Sequence, residues 1–225
     1  MTRRTNARVA GIAYLFYIAV ALPNMVLFSR ATSGDETAAK LASIAHHASD
    51  LRVCIILMLL STFAALVLAV TLYAITREQD ADLAMLALTC RVGEGVIGAL
   101  SIPNTLALLW LSTAMRADAP DMAAAQVLGA YLLRGDMAVT ATFFAVGSTL
   151  FAYLLLRGRM IPTSLAWLGV VASALLVVGL PLQIAGLLSE AIVSLMWLPM
   201  LAFEVPLGLW LLIKGVAVPA RPQSA

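Results

Sequence analysis

The chain lacks most of what a water-soluble enzyme displays. Charged residues are only 12% of its 225 residues, against roughly 25% in ordinary soluble domains. There are two cysteines, Cys54 and Cys90, with no CxxC and no partner at metal-ligand spacing. On the topology derived below they fall near opposite faces of a membrane. A disulfide, which needs Cα atoms within about 7 Å, is not expected, and both read as packed apolar side chains. The two histidines, His46 and His47, are adjacent, so a helix splays them about 100° apart. His46 and Asp50 share a helical face, but two ligands do not make a metal site, and solvated loop residues are the simpler reading. GxSxG, HExxH and a glycine-rich phosphate loop are all missing. No acyl-transfer, zinc-protease or nucleotide chemistry therefore has a sequence basis. An intramembrane hydrolase with histidine and aspartate ligands on facing helices cannot be assembled. A net charge of +2 with scattered basic residues gives no footprint for nucleic acid. Strand-like alternation is missing too, which excludes a membrane barrel. There is no soluble domain, low-complexity tract or clear repeat; the recurring "ALPN" and "SIPN" are too short to mean duplication.

What is present is apolar length. Hydrophobic residues make up 62% of the chain, and its mean hydropathy is +0.98. A soluble domain of this size could not cover so much apolar surface, so lipid must solvate the outside. Six stretches suffice to cross a ~30 Å hydrocarbon core at ~1.5 Å per residue: 9–28, 52–76, 83–108, 136–156, 162–187 and 192–213. Backbone groups in lipid must pair within their own segment, which leaves helices. The expected fold is all-α, a polytopic six-transmembrane-helix bundle forming one domain over residues 1–225. Arg3, Arg4 and Arg8 before the first run, and Ser29-Arg30-Ala31 after it, weakly mimic a cleaved signal. A run of about 20 residues exceeds the ~7–15 of a signal core and suits an uncleaved span.

The connections differ in kind. "REQDAD" (Arg77 to Asp82), Arg157-Gly158-Arg159 before Pro162, and Ser189-Glu190 are short. Two links are longer, and each is expected to hold a short amphipathic surface helix. In the first, Ser33 and Glu36 have capping-box spacing, and Leu41, Ile44, Ala45 and Ala48 follow at helical intervals. In the second, Asp118, Pro120 and Asp121 precede "MAAAQVLGAYLLR". With the N-terminus inside, the cytoplasmic ends collect Arg3, Arg4, Arg8, Arg77, Arg157, Arg159, Lys214 and Arg221. The outer side holds Arg30, Lys40, Arg52, Arg116 and Arg134, in longer loops. The positive-inside rule then favours both termini in the cytoplasm.

Three ionisable residues sit inside the spans. Arg91 and Glu94 are three apart and point about 60° from each other on one helix face. Glu94 lies ~16 Å from the cytoplasmic end of its span, and Glu204 ~15 Å from the same end of the last one. A charge facing lipid at that depth costs at least ~2.5–3.5 kcal/mol. Turning inward and pairing removes most of that cost. Spans three and six are therefore expected to face each other, with Arg91, Glu94 and Glu204 in one polar cluster. One guanidinium cannot neutralise two carboxylates in a low dielectric, so either water reaches the cluster or one acid carries a proton.

Gly93, Gly95, Gly98 and Ala99 allow close helix approach. Pro103 with Asn104 is expected to interrupt span three and Pro181 with Gln183 span five, while Pro199 and Pro206 bracket Glu204. A carbonyl freed by proline, beside Asn104 or Gln183, would help line a site. The plainer reading is that Arg91 and Glu94 form a structural ion pair and Glu204 is a neutral acid bonded to a neighbour. Asp136 and Arg134 sit at a helix entrance, where charges are ordinary. Trp110, Trp167, Trp197 and Trp210 read as interfacial anchors, and the dispersed methionines as core filler.

"RVAGIAYLFYIA", "LAVTLYAITR", "LALTCRVGEGVIG", "FFAVGSTLFAYLLLRGRMIPTSLAWLGVV" and "FEVPLGLWLLIKG" together resemble a bacterial membrane family, domain of unknown function 4386. The resemblance spans nearly the whole chain and is most specific from Phe143 to Gly169. Arg91, Glu94 and Glu204 match positions where that family carries these residues; Arg159-Met160 departs from many relatives. The resemblance implies six helices and a bacterial inner membrane, and brings no assigned reaction.

The function expected is a non-enzymatic inner-membrane protein, a small transporter or a ligand or proton sensor. Arg91 would hold an anionic group or tune the acids, Glu94 and Glu204 would bind a cation or proton, and Asn104 and Gln183 would support them. No cofactor or metal is expected. Partners are the lipid bilayer, a small ligand or ion, and a second copy or another membrane protein. The alternatives are an assembly protein whose buried charges only hold the bundle and, behind it, a lipid-modifying enzyme with a thin acid–base inventory.

Overall fold

The computed structural model describes residues 1–114, 122–134 and 137–217. Expectations placed on Arg116, Asp118, Pro120, Asp121, Asp136 and Arg221 lie outside the described residues. Among these, nine helices follow in order: α1 (Arg3–Ala31), α2 (Thr37–His46), α3 (Ala48–Thr76), α4 (Ala81–Ala99), α5 (Ser101–Ala114), α6 (Met122–Leu133), α7 (Met137–Arg157), α8 (Thr163–Ile184) and α9 (Glu190–Ile213). Six candidate membrane spans result: α1, α3, α8 and α9 alone, Ala81–Thr113 across α4 and α5, and Ala123–Arg157 across α6 and α7. This is an all-α, multi-pass membrane protein by helix length and hydropathy. The outward side chains agree. Phe63, Val67 and Val70 on α3, Val171 and Val178 on α8, and Leu195 and Leu198 on α9 are exposed, while Arg91, Glu94 and Glu204 are buried. That inverts the arrangement water imposes on a soluble protein.

Several local expectations are corrected. The third span breaks at Leu100, whose amide donates to the Ile97 carbonyl at 3.0 Å. Pro103 then sits in the first turn of α5, where its missing amide costs no helical hydrogen bond. Pro181 does not interrupt span five; α8 runs through it, as α9 runs through Pro199 and Pro206. Neighbouring helices satisfy carbonyls freed by proline within a membrane domain. The capping box at Ser33 and Glu36 is not formed. Glu36 is the residue before α2 and makes no side-chain cap, and Ser33 Oγ pairs instead with Ser43 Oγ at 2.9 Å. Gly34, at φ 128°, turns the chain in between, so the helix starts later. Trp197 lies two turns inside α9, its ring centre 5.6 Å from that of Phe144.

The chain divides into two compact units. One comprises Met1–Phe16, Phe63–Gly95 and Met137–Ala225; the other comprises Tyr17–Thr62 and Val96–Asp136. In the second unit α2, α5 and α6 pack together. Their core is Leu41, Ile44, Leu51, Leu108, Leu111, Ala125 and Leu132. Gly129 of α6 admits the Leu41 side chain, which a Cβ there would meet at 2.9 Å. Cys54 is buried, its Sγ 3.7 Å from the Asn24 carbonyl, and both cysteines are free thiols. His47 Nδ1 lies 3.0 Å from the Ser43 carbonyl, and Arg30 pairs with Asp50 at 3.9 Å.

In the first unit α8 packs along both α7 and α9. Gly11 of α1 faces the α9 backbone so closely that a Cβ would lie 2.6 Å from the Gly208 carbonyl oxygen. Chain ends and turns meet at one end of this unit. Arg3 Nη1 contacts Glu78 at 2.9 Å, and Arg3 Nη2 donates to the Ile75 carbonyl at 2.8 Å. Arg157 pairs with Asp80 at 3.2 Å, and the Ala217 amide donates to the Met160 carbonyl at 3.0 Å. The N-terminus, the α3–α4 turn, the α7–α8 turn and the segment after α9 thus share one end.

Candidate functional site

The site is built from α1, α4, α7 and α9 of the first unit. Arg91 is ten residues into α4, ~15 Å along its axis, and is 1% exposed. A side chain this long needs room, and Gly147 of α7 supplies it. The Arg91 stem crosses that glycine, where a Cβ would lie 2.8 Å from Arg91 Cγ. The guanidinium carbon is 4.7 Å from the Phe144 ring centre, in cation–π range. Its Nη1 reaches Glu94 Oε2 at 2.9 Å and donates to Ser148 Oγ at 3.5 Å. Glu94 is 3% exposed.

Glu204 comes from α9, nine residues or ~14 Å before its end at Ile213. It is 7% exposed, and its Oε1 is buried without a hydrogen-bond partner. Its position follows from its neighbours. The Phe203 ring fills the space over Gly169 of α8, where a Cβ would be 2.4 Å away. Glu204 is turned about 100° from that contact. Tyr14 of α1 is buried, its Cβ packed on Gly208, one turn beyond Glu204. Glu204 lies in electrostatic range of Arg91 and Glu94, and Tyr14 in range of all three. The structure therefore brings Arg91, Glu94 and Glu204 into one buried cluster and adds Tyr14, Phe144 and Ser148. With every group ionised the cluster carries one positive and two negative charges.

Residues 9–215 match the family described as a domain of unknown function, DUF4386. The chain belongs to that family. No curated protein and no solved structure matches it.

Of the two supporting residues expected from the sequence in this DUF4386 chain, Gln183 lies away from the cluster. Gln183 occupies the last turn of α8 and is half-buried. Gly169 of the same helix is the residue level with Phe203, so Gln183 is ~21 Å away along the axis. Asn104 is exposed on α5, in the second unit. Gln183 does not join the cluster. Sequence reasoning missed Tyr14, Ser148 and Gly147. The Gly11–Tyr14 spacing was a usable signal, because a glycine contact on one turn brings the next turn's side chain to the neighbouring helix.

Proposed function

We propose that this DUF4386 protein carries a binding site for a small ligand or a proton at the depth of Arg91, Glu94 and Glu204, and acts as a small transporter or sensor. One observation carries the reading. Arg91 is paired with Glu94, while Glu204, a second buried acid in electrostatic range of both, has its Oε1 buried without a hydrogen-bond partner. A cluster left with excess negative charge in a low dielectric takes up a positive charge. Intramembrane acids of this kind mark ion and proton sites by default.

The same proposal puts the protein in a bacterial inner membrane as one domain, with both termini in the cytoplasm. The end that gathers Arg3, Arg157 and the segment after α9 would face inward. Leu41 and Ile44 bury one side of α2 while Ala42 and His46 stay exposed, as suits a helix lying at the interface.

The test is reconstitution into vesicles with an entrapped pH-sensitive dye. Wild type should move protons, and Glu94→Gln and Glu204→Gln should each lower the flux at least tenfold. Equal flux in all three would remove proton coupling.

A second reading has its own support. Arg91 is packed on Gly147, stacked on Phe144 and paired with Glu94, as a structural fastener would be. On that reading the substitutions lower the melting temperature in detergent and leave capture of a membrane-protein partner, or of a second copy, intact.

A further inference from the structure

We propose that the ligand of this site is a proton and that Glu204 alone carries it, while Arg91 and Glu94 remain an ion pair. The inference rests on the reading of the cluster as a binding site and narrows it.

The two acids are not equivalent. Glu94 Oε2 is 2.9 Å from Arg91 Nη1, and the two residues share one helix, so their contact needs no second element to hold still. Helix α9 brings Glu204 with one buried oxygen that accepts no hydrogen bond. A carboxylate in that setting lacks what stabilises its charge, whereas a carboxylic acid needs less. Uptake forms one O–H bond on Glu204 and breaks one in a hydronium ion from the aqueous phase, which leaves as water. The local charge then goes from one excess negative to zero.

Geometry also selects among cations. A metal cation needs a shell of oxygens, about six for Mg²⁺ and six to eight for Ca²⁺. Among the described residues no group of three histidine, cysteine or acidic side chains is placed to hold one. A proton requires a single lone pair.

The groups facing Glu204 are few. Tyr14 comes from α1, and Arg91 and Glu94 from α4. Helix α8, packed along α9, contains no titratable residue at all. The ionisable side chains of α7 are Tyr153, which is exposed, and Arg157, which is paired with Asp80. Among the described residues, Glu204 is therefore the buried acid at this depth that has no ion pair.

The experiment is infrared difference spectroscopy of the full chain in lipid nanodiscs, titrated with pH and followed at the carboxylic-acid carbonyl stretch. Wild type should show one titrating band. Glu94→Gln should keep it with a moved midpoint, and Glu204→Gln should abolish it. Glu204→Asp should restore it at a displaced frequency, which separates loss of the group from loss of the fold. A band that survives Glu204→Gln, or that is missing from wild type, overturns the proposal. So does a midpoint that moves by a unit or more when sodium or potassium is raised tenfold, because a metal cation then competes for the site. A titrating Glu204 band in protein that moves no protons across vesicles supports the proposal and removes only transport.

Discussion

The stem of Arg91 lies across Gly147 with no room for a methyl group between them. A Cβ on Gly147 would sit 2.8 Å from Arg91 Cγ and 3.2 Å from the Ala87 carbonyl oxygen. Arg91 is wholly buried, so it cannot swing into solvent to make way. Gly147→Ala should therefore cost about 1–3 kcal/mol, the usual penalty of overpacking a filled interior. Melting in detergent, followed by circular dichroism, measures it. An unchanged melting temperature would mean that the arginine is looser than its burial implies.

The Arg91–Glu94 pair offers a sharper test because its two halves should behave unequally alone and together. Arg91→Met leaves two buried carboxylates without their cation and should destabilise by about 3–5 kcal/mol. Glu94→Gln in the Arg91→Met background should recover part of that loss, because one of the stranded charges is gone. A double-mutant cycle on chemical denaturation reads the coupling. Additive losses would show that the 2.9 Å contact carries no interaction energy.

Gly11 should tolerate substitution less well than Gly93. A Cβ on Gly11 meets backbone, the Gly208 carbonyl oxygen and the Leu212 nitrogen, both at 2.6 Å. Only separation of α1 from α9 can relieve that contact. A Cβ on Gly93 meets the Phe143 ring at 2.9 Å, and Phe143 is partly exposed and can turn. Gly11→Ala is expected to lower the melting temperature markedly, by the equivalent of about 1–3 kcal/mol, and Gly93→Ala by less than half of that. The reverse order would place the tight crossing elsewhere.

These contacts separate what was legible in the sequence from what was not. The spans were legible because bilayer thickness fixes apolar length, so the first run, the α8 and α9 runs and the polar depth of Arg91, Glu94 and Glu204 could be counted directly. Rotation about each helix axis was not legible. Tyr14, Phe144 and Ser148 reach the cluster only because Gly11, Gly147 and Gly208 fix how the helices face one another. Proline misled in a definite way. A missing amide suggested a break at Pro181, but helices in lipid continue through proline. Gln183 was attached to the site through that break, and it fell away with it.

The turn after α7 gives the last prediction, and its direction is opposite to the others. The Met160 amide donates to the Leu155 carbonyl and the Arg159 amide to the Leu156 carbonyl, both at 3.0 Å. This pair of bonds closes a helix with its capping residue left-handed, a place that glycine normally takes. Here it is Arg159, at φ 49° and exposed. The end of α8 closes the same way, with Gly186 at φ 73°. A side chain in that conformation costs about 1–2 kcal/mol, while glycine loses about 0.5–1 kcal/mol more chain entropy on folding. Arg159→Gly should therefore stabilise the protein by roughly 0.5–1 kcal/mol. Gly186→Ala has open space around its Cβ, so only backbone strain acts, and it should destabilise by about 1 kcal/mol. Opposite shifts of melting temperature in the two variants, under one detergent condition, are the expected result. A fall with Arg159→Gly would mean that the arginine side chain holds something at this end of the molecule that outweighs its strain.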